Sequence, residues 1–197
     1  MLARLRAPAP RPAARRLVCL GSSQTWGAGA RRAVDAWPAR LERRLNASLR
    51  PGERPWDCIN TGISGAVAAR IAELYRREWA IPAPHLVVVD LSNNDQDPAA
   101  FRRAVRALIA WNDARHIPTV LVLEPNSLES ISPCLEPNHR ILREVAAATG
   151  SPAVDMMAAL AGEADRGLMW WDGVHLTSFG HRRFADILYE ELRGLGF

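Results

Sequence analysis

An open, parallel β-sheet covered by helices on both faces is the α/β fold class this sequence predicts, and three observations carry it. Short apolar runs alternate with stretches whose apolar residues recur at helical spacing, from Leu17 to the C-terminus. One run, His85-Leu86-Val87-Val88-Val89-Asp90-Leu91, is continuously apolar through Val89, as a parallel strand buried on both faces should be. No internal repeat and no linker breaks the alternation. After a short leading arm, the 197-residue chain therefore reads as one domain long enough to bury a core.

Leu17-Val18-Cys19-Leu20 reads as the first strand. Gly21-Ser22-Ser23-Gln24-Thr25-Trp26-Gly27 is then the turn that lifts a hydroxyl above its end. Taken alone, this turn reads equally well as a tight bend with serines for solubility. Pro38 suits the first position of a helix carrying Leu41, Leu45 and Leu49, which Pro51-Gly52 stops. Residues 56–60 form the second strand, followed by the turn Thr61-Gly62-Ile63-Ser64-Gly65. Ser64 is the expected cap of a helix on which Val67, Ile71 and Leu74 align, ended by Pro82 and Pro84. After the third strand at 85–91 comes the polar loop Ser92-Asn93-Asn94-Asp95. Asp97-Pro98 then opens a helix with Phe101, Val105, Leu108 and Trp111. Residues 118–124 make a fourth strand, and residues 125–137 a loop long for such a connection. A helix with Ile141, Leu142 and Val145 ends at Gly150, and residues 153–155 are a short fifth strand. Trp170-Trp171-Asp172-Gly173-Val174-His175-Leu176 precedes a last helix with Phe184, Ile187, Leu188 and Leu192 aligned.

All 25 cationic side chains are Arg, which with the abundant Ala reads as genome composition bias. Five of them, Arg4, Arg6, Arg11, Arg15 and Arg16, lie in residues 1–16, an arm without an acidic residue that is expected to be disordered. Removing those five from the net charge of +4 leaves −1 for residues 17–197, so the basicity belongs to the arm and no nucleic-acid partner is expected. No apolar run approaches a membrane span. Pro8, Pro10 and Pro12 interrupt the place where a signal peptide would be apolar, so a soluble, cytoplasmic chain is expected. A catalytic domain cut from a longer anchored protein would read the same. Cys19, Cys58 and Cys134 are too few and scattered for a disulfide framework or a zinc site.

In a parallel sheet, ligands bind at the carboxyl ends of the strands. Four polar motifs fall there: Gly21-Ser22-Ser23, Asn60-Thr61-Gly62, Asn93-Asn94-Asp95 and Asp172-Gly173-Val174-His175. Each is weak singly, since an Asn-rich loop is usually a turn. Together on one edge they supply what acyl transfer from an ester needs. Ser23 is the candidate nucleophile, His175 the base that takes its proton, and Asp172 the carboxylate that orients the imidazole. The amides of Ser23 and Gly62 and the side chain of Asn94 are candidate oxyanion donors. Of the adjacent serines, alternation near a strand end lets only one face His175.

The set Gly21-x-Ser23-x-Thr25-x-Gly27, Asn60-x-Gly62-x-Ser64-Gly65, Asn94-Asp95 and Asp172-x-x-His175-Leu176 resembles the SGNH (GDSL-type) hydrolase family, in order and spacing, from Leu17 onward. The resemblance implies Ser23, Gly62, Asn94 and His175 as the family's four named residues, with Asp172 as triad acid. It also implies a three-layer flavodoxin-like fold with a central five-stranded parallel sheet, and no metal or organic cofactor. Family members are esterases, lipases, thioesterases, carbohydrate deacetylases and some O-acyltransferases. Two positions depart from the pattern: Ser22 stands where the family usually has Asp, and Ser92 where it usually has Gly. Ser92 is expected to shift the loop that aims Asn94, and Ser22 to remove a carboxylate that helps fix the first turn.

The expected function is thus a serine esterase acting on short acyl esters, with O-acetyl groups of carbohydrates as the favoured substrate. An O-acyltransferase using the same acyl-serine and a catalytically silent binding domain are the alternatives. Trp26, Trp170 and Trp171 flank the motifs and are candidate substrate-binding residues, with core or rim packing the competing role. His85 and His116 fall at the opposite edge of the sheet, while His139 and His181 lie on helices without metal-ligand spacing. Glu124 is expected to be a solvated carboxylate at the end of strand four, with a substrate contact the alternative.

Overall fold

Five parallel strands, in the order β2-β1-β3-β4-β5, make the single sheet of the computed structural model, which describes residues 14–81, 83–162 and 166–197. They are β1 (Arg15–Gly21), β2 (Trp56–Asn60), β3 (Leu86–Asp90), β4 (Thr119–Val122) and β5 (Ala153–Val154). β1 begins two residues before Leu17, so Arg15 and Arg16 belong to the sheet rather than to the arm. They pair in register with Trp56 and Asp57, and the Arg15 guanidinium lies 4.2 Å from the centre of the Trp56 ring. The arm through residue 13, like Pro82, lies outside the described residues.

Strand residues alternate between two cores, as a period of two requires. Leu17, Cys19, Leu86, Val88, Val120 and Val122 face one helical layer. That layer holds α2 (Trp37–Ala47), α6 (Met156–Ala161) and α8 (Ser178–Gly194), with Trp37 and Phe184 stacked at 4.9 Å. Val18, Leu20, Val87, Val89, Leu121 and Leu123 face the other layer. It is built from α3 (Ala68–Leu74), α4 (Pro98–Asp113) and α5 (Leu135–Thr149). The expected caps hold at two ends: the Asp97 carboxylate accepts from Ala99 and Ala100 N–H, and Gly150 closes α5 with φ 73°. Ser64 does not cap α3. The first residue of that helix, Ala68, gives its N–H to the Asp95 carboxylate instead, and Val67 is exposed at its start rather than aligned with the core.

The remaining α-helices are single turns, α1 (Ser23–Trp26) and α7 (Arg166–Met169), while a π-helical turn at Tyr75–Trp79 prolongs α3 and a 3₁₀ turn at Ala33–Asp35 precedes α2. The expected loop at 125–137 ends earlier, because α5 starts at Leu135, and it holds one 3₁₀ turn at Glu129–Ile131. Among the described residues no helix is long and apolar enough to cross a membrane. The fold's consequence for function lies in the strand order. The connections run outward in opposite directions from β1 and β3, which opens a crevice at their carboxyl ends.

Candidate active site

The turn after β1 is built around two close approaches. A Cβ on Gly21 would collide with the Thr25 side chain, whose hydroxyl donates to Asp90 Oδ2 at 2.7 Å. The chain then folds at once into α1, leaving Ser22 and Ser23 on different sides. Ser22 donates its hydroxyl inward to Glu124 Oε1, 3.3 Å away, while Ser23 Oγ lies 2.9 Å from His175 Nε2. His175 Nδ1 lies 2.8 Å from Asp172 Oδ2, so Nδ1 carries the hydrogen toward the carboxylate and Nε2 is left to accept from Ser23. The other Asp172 oxygen accepts the N–H groups of Val174 and His175, at 2.7 and 2.6 Å. Partial burial alone would raise the Asp172 carboxyl. The hydrogen bonds from the His175 ring and from these two amides outweigh it and hold the group below its ordinary value.

The segment carrying Asp172 and His175 is pinned by residues the sequence did not single out. Gln24 is wholly buried, and its amide donates to the carbonyls of Pro125 and Val174 at 2.7 and 2.9 Å. Ser127 donates through both N–H and hydroxyl to the Gly173 carbonyl, and the Ile131 side chain lies against Gly173. The loop after β4 therefore braces the His175 segment. The only local hint was a Gln beside the candidate nucleophile, where a solvent-exposed turn would show no preference for it.

The candidate oxyanion donors come from the turn after β1 and the loops after β2 and β3. The Ser23 N–H opens α1 and so has no intrahelical partner. Gly62 must be glycine, because a Cβ there would strike the Trp26 backbone; its N–H donates to its neighbour Asn60 Oδ1 at 2.9 Å. Asn94 Nδ2 donates one hydrogen to the Ala66 carbonyl at 3.1 Å, leaving the second. The Asn94 loop is tied down by Asn138, whose amide donates to the carbonyls of Ser92 and Asp95, each at 2.9 Å.

Glu124 is not solvated. It is wholly buried, and its Oε2 accepts the N–H groups of Ser92 and Asn93 and the Ser92 hydroxyl. Asp90, also wholly buried, stands beside it. Burial first, then the charge of Glu124, pushes the Asp90 carboxyl well above its ordinary value; burial raises Glu124 to about 7 against the pull of its donors.

Trp26 and Trp171 are exposed, at 60% and 73%, so their ring faces are open to a ligand. Trp170 instead packs against the core and bridges to Leu176. Trp171 lines an apolar groove of about 750 Å³ with Gly29, Ala30, Leu168 and Phe179. His181 is buried under the nucleophile turn: Nε2 donates to Ala28 O at 3.1 Å and Nδ1 accepts from Trp37 N–H at 3.3 Å. His85 sits at the amino end of the sheet, where Nδ1 accepts the Arg16 N–H. Among the described residues no group of three His, Cys, Asp or Glu is placed to hold a metal ion.

No curated protein matches the chain in sequence. Solved structures match it closely in fold. A lipase/acylhydrolase from Enterococcus faecalis superposes with a TM-score of 0.77 at 21% identity, over 91% of this chain and 96% of that one. An acetyl xylan esterase does so at 0.75 and 18%, over 89% and 98%. An esterase of two domains, active on acetylated mannans, matches at 0.76 and 19%, over 92% of this chain and 49% of its own. The profile of the GDSL-like Lipase/Acylhydrolase family matches residues 19–183, the span that runs from within β1 to within α8 and contains every motif above. With the fold, the order of motifs and that match in agreement, the chain belongs to the GDSL-like lipase/acylhydrolase family, whose members hydrolyse esters.

Proposed function

We propose that this chain hydrolyses short acyl esters through an acyl-Ser23 intermediate, with O-acetyl groups on carbohydrates as its substrates. The observation that carries the reading is the unbroken row from Ser23 Oγ to His175 Nε2 and from His175 Nδ1 to Asp172, at 2.9 and 2.8 Å. In the first step Ser23 Oγ attacks the ester carbonyl carbon while His175 Nε2 takes its proton. Asp172, ionised and aligned with Nδ1, stabilises the imidazolium. The carbonyl oxygen becomes an oxyanion facing the Ser23 N–H and the second hydrogen of Asn94 Nδ2. Gly62 N–H joins them when the Asn60 side chain gives it up or shares it. Collapse of the intermediate breaks the bond to the alcohol, which leaves with the proton from His175. Water, deprotonated by the same imidazole, then releases the acid and regenerates Ser23.

The carbohydrate side of the reading rests on the exposed side chains of Trp26 and Trp171, which flank the motifs in sequence and suit stacking on a sugar ring. The apolar groove beside Trp171 is lined by residues next in sequence to the His175 segment, Trp171 and Thr177 among them, and offers a surface for the alcohol part of an ester. Relatives in fold described as acetyl xylan esterase and as active on acetylated mannans agree with this choice. A panel of chromogenic esters of rising acyl length, together with acetate release from acetylated xylan and mannan, tests it. Turnover of acetyl esters that vanishes in Ser23→Ala is the expected result. Absence of turnover on every ester, or turnover that survives in Ser23→Ala, would sink it. Transfer of acetyl to an added sugar in preference to water would reassign the chain to acyl transfer.

A further inference from the structure

Behind the Ser23 turn lies a buried carboxylate for which the proposed chemistry has no use. Glu124, just beyond β4, is fully out of contact with solvent. On one oxygen it collects the N–H groups of Ser92 and Asn93, the latter at 2.8 Å, and the Ser92 hydroxyl at 3.1 Å. On the other it takes the Ser22 hydroxyl at 3.3 Å. Hydrogen bonds to a charged acceptor are about twice as strong as neutral ones. Here four donors from two loops converge on one buried carboxyl group. Those loops carry Ser23 and Asn94.

Topology explains why this matters. β1 lies between β2 and β3, so the bond from Asn94 to Ala66 O, joining the loop after β3 to the loop after β2, passes over the end of β1. Ser23 stands at that end. The loop that carries Asn94 runs through Ser92 and Asn93, whose N–H groups end on Glu124. The neighbouring Asp90 has the Thr25 hydroxyl at 2.7 Å and the Trp37 indole N–H beside it, against four donors on Glu124, so Glu124 is the better placed of the two to hold the charge.

We propose that Glu124 is a positioning residue for the oxyanion side of this site: its carboxylate ties the Ser92–Asn93 backbone to Ser22 and so sets where Asn94 stands relative to the Ser23 hydroxyl. The proposal rests on the esterase reading given above. It acts through Asn94, and that dependence makes it testable by a double-mutant cycle.

Steady-state kinetics on an acetyl ester would compare Glu124→Met and Glu124→Gln, each alone and with Asn94→Ala. In the wild type, losing the Asn94 donor should lower kcat about a hundredfold. Glu124→Met keeps the volume and removes every acceptor, so kcat should fall by a similar factor with KM within about threefold, and Asn94→Ala should then cost less than about fivefold more. Penalties that simply multiply, or wild-type kcat in Glu124→Met, would overturn the proposal. If Glu124→Met does not fold, Glu124→Gln decides: a kcat loss that shrinks the Asn94→Ala penalty supports it, and a wild-type kcat overturns it. A readout free of turnover separates this idea from the esterase reading. The Ser92 and Asn93 amide protons should resonate far downfield in wild-type NMR spectra. In Glu124→Gln they should move together with the Asn94 side-chain NH₂, and an unmoved Asn94 signal would refute the coupling even in a chain that turns over no ester.

Discussion

Replacing Glu124 by Gln should change how stability depends on pH, in a direction that the burial of the group fixes. Burial raises its carboxyl from 4.5 to about 7, and the N–H and hydroxyl groups of Ser92, Asn93 and Ser22 only partly counter this. The folded chain therefore holds the proton more tightly than the unfolded chain. Its contribution is fully present below about pH 4.5 and is lost as the pH rises through about 7. Integrated over that interval the loss is about 3 kcal/mol, or about 6–12 °C in Tm for a domain of this size. Asp90, raised by its own burial, has the same sign. His139 and His181 have the opposite sign: burial lowers both to about 4, so they favour folding above the ordinary histidine range and lose that contribution as the pH falls through about 4. Subtracting the Glu124→Gln curve cancels the two histidines to first order; Asp90, which the Glu124 charge also raises, is lowered in the variant and so adds to the difference with the same sign. Urea unfolding from about pH 5 to about pH 8 should then show wild type losing most of the 3 kcal/mol relative to the variant. A difference that stays constant, or that grows with pH, would refute the reasoning.

Three further outcomes follow from the geometry. A fluorophosphonate probe should label Ser23, found by peptide mapping, and should still label it in Ser22→Ala, because only Ser23 faces His175; an adduct on Ser22 would reverse the assignment. His175→Ala should remove nearly all turnover, and wild-type kcat should fall on the acid side of its pH profile, since an imidazolium has no lone pair for the Ser23 proton. A flat profile with chemistry rate-limiting would contradict that role. Replacing residues 128–132 with a short Gly/Ser turn should alter the ranking of esters and also lower kcat about tenfold, because Ile131 lies against Gly173 in the His175 segment and misplacing a catalytic group by an ångström is enough for a loss of that order; unchanged kcat and ranking would make the loop a plain connector.

What could be read from the sequence was whatever has a local signature. A strand buried on both faces shows as an unbroken apolar run at 86–89, and Asp97 and Gly150 declare helix ends because cap chemistry needs those residue types there. The four motifs could be placed on one edge since alternating strands and helices put every strand's carboxyl end together. Interactions between distant segments left no such mark. α3 is capped by Asp95, which lies beyond a whole strand, so the nearby Ser64 was the natural but wrong choice. Arg15 and Arg16 look like the tail of a charged arm until Trp56 is seen to receive one of them and His85 the backbone N–H of the other. Glu124 reads as solvated because its main partners are backbone N–H groups, and every residue but proline has one.

The two departures from the family pattern take on a physical meaning in this light. A carboxylate at Ser22 would stand about where its hydroxyl now stands, 3.3 Å from Glu124 Oε1, with Asp90 buried alongside. Three carboxylates gathered in one dry space repel one another and would drive at least one to bind a proton. A hydroxyl at that position donates instead, and so stabilises the anion that is already there. Ser92 does the same with its side chain, adding a donor that glycine would lack, while its backbone N–H makes the bond any residue could make. Ser22, Ser92 and Glu124 therefore make sense as a set: the buried carboxylate nearest the first turn stands at the end of β4, and the two serines donate their hydroxyls to it there. The charge still braces the turn that carries Ser23. From the end of β4 it also reaches the backbone N–H groups before Asn94, so one buried group ties the loop after β1 to the loop after β3.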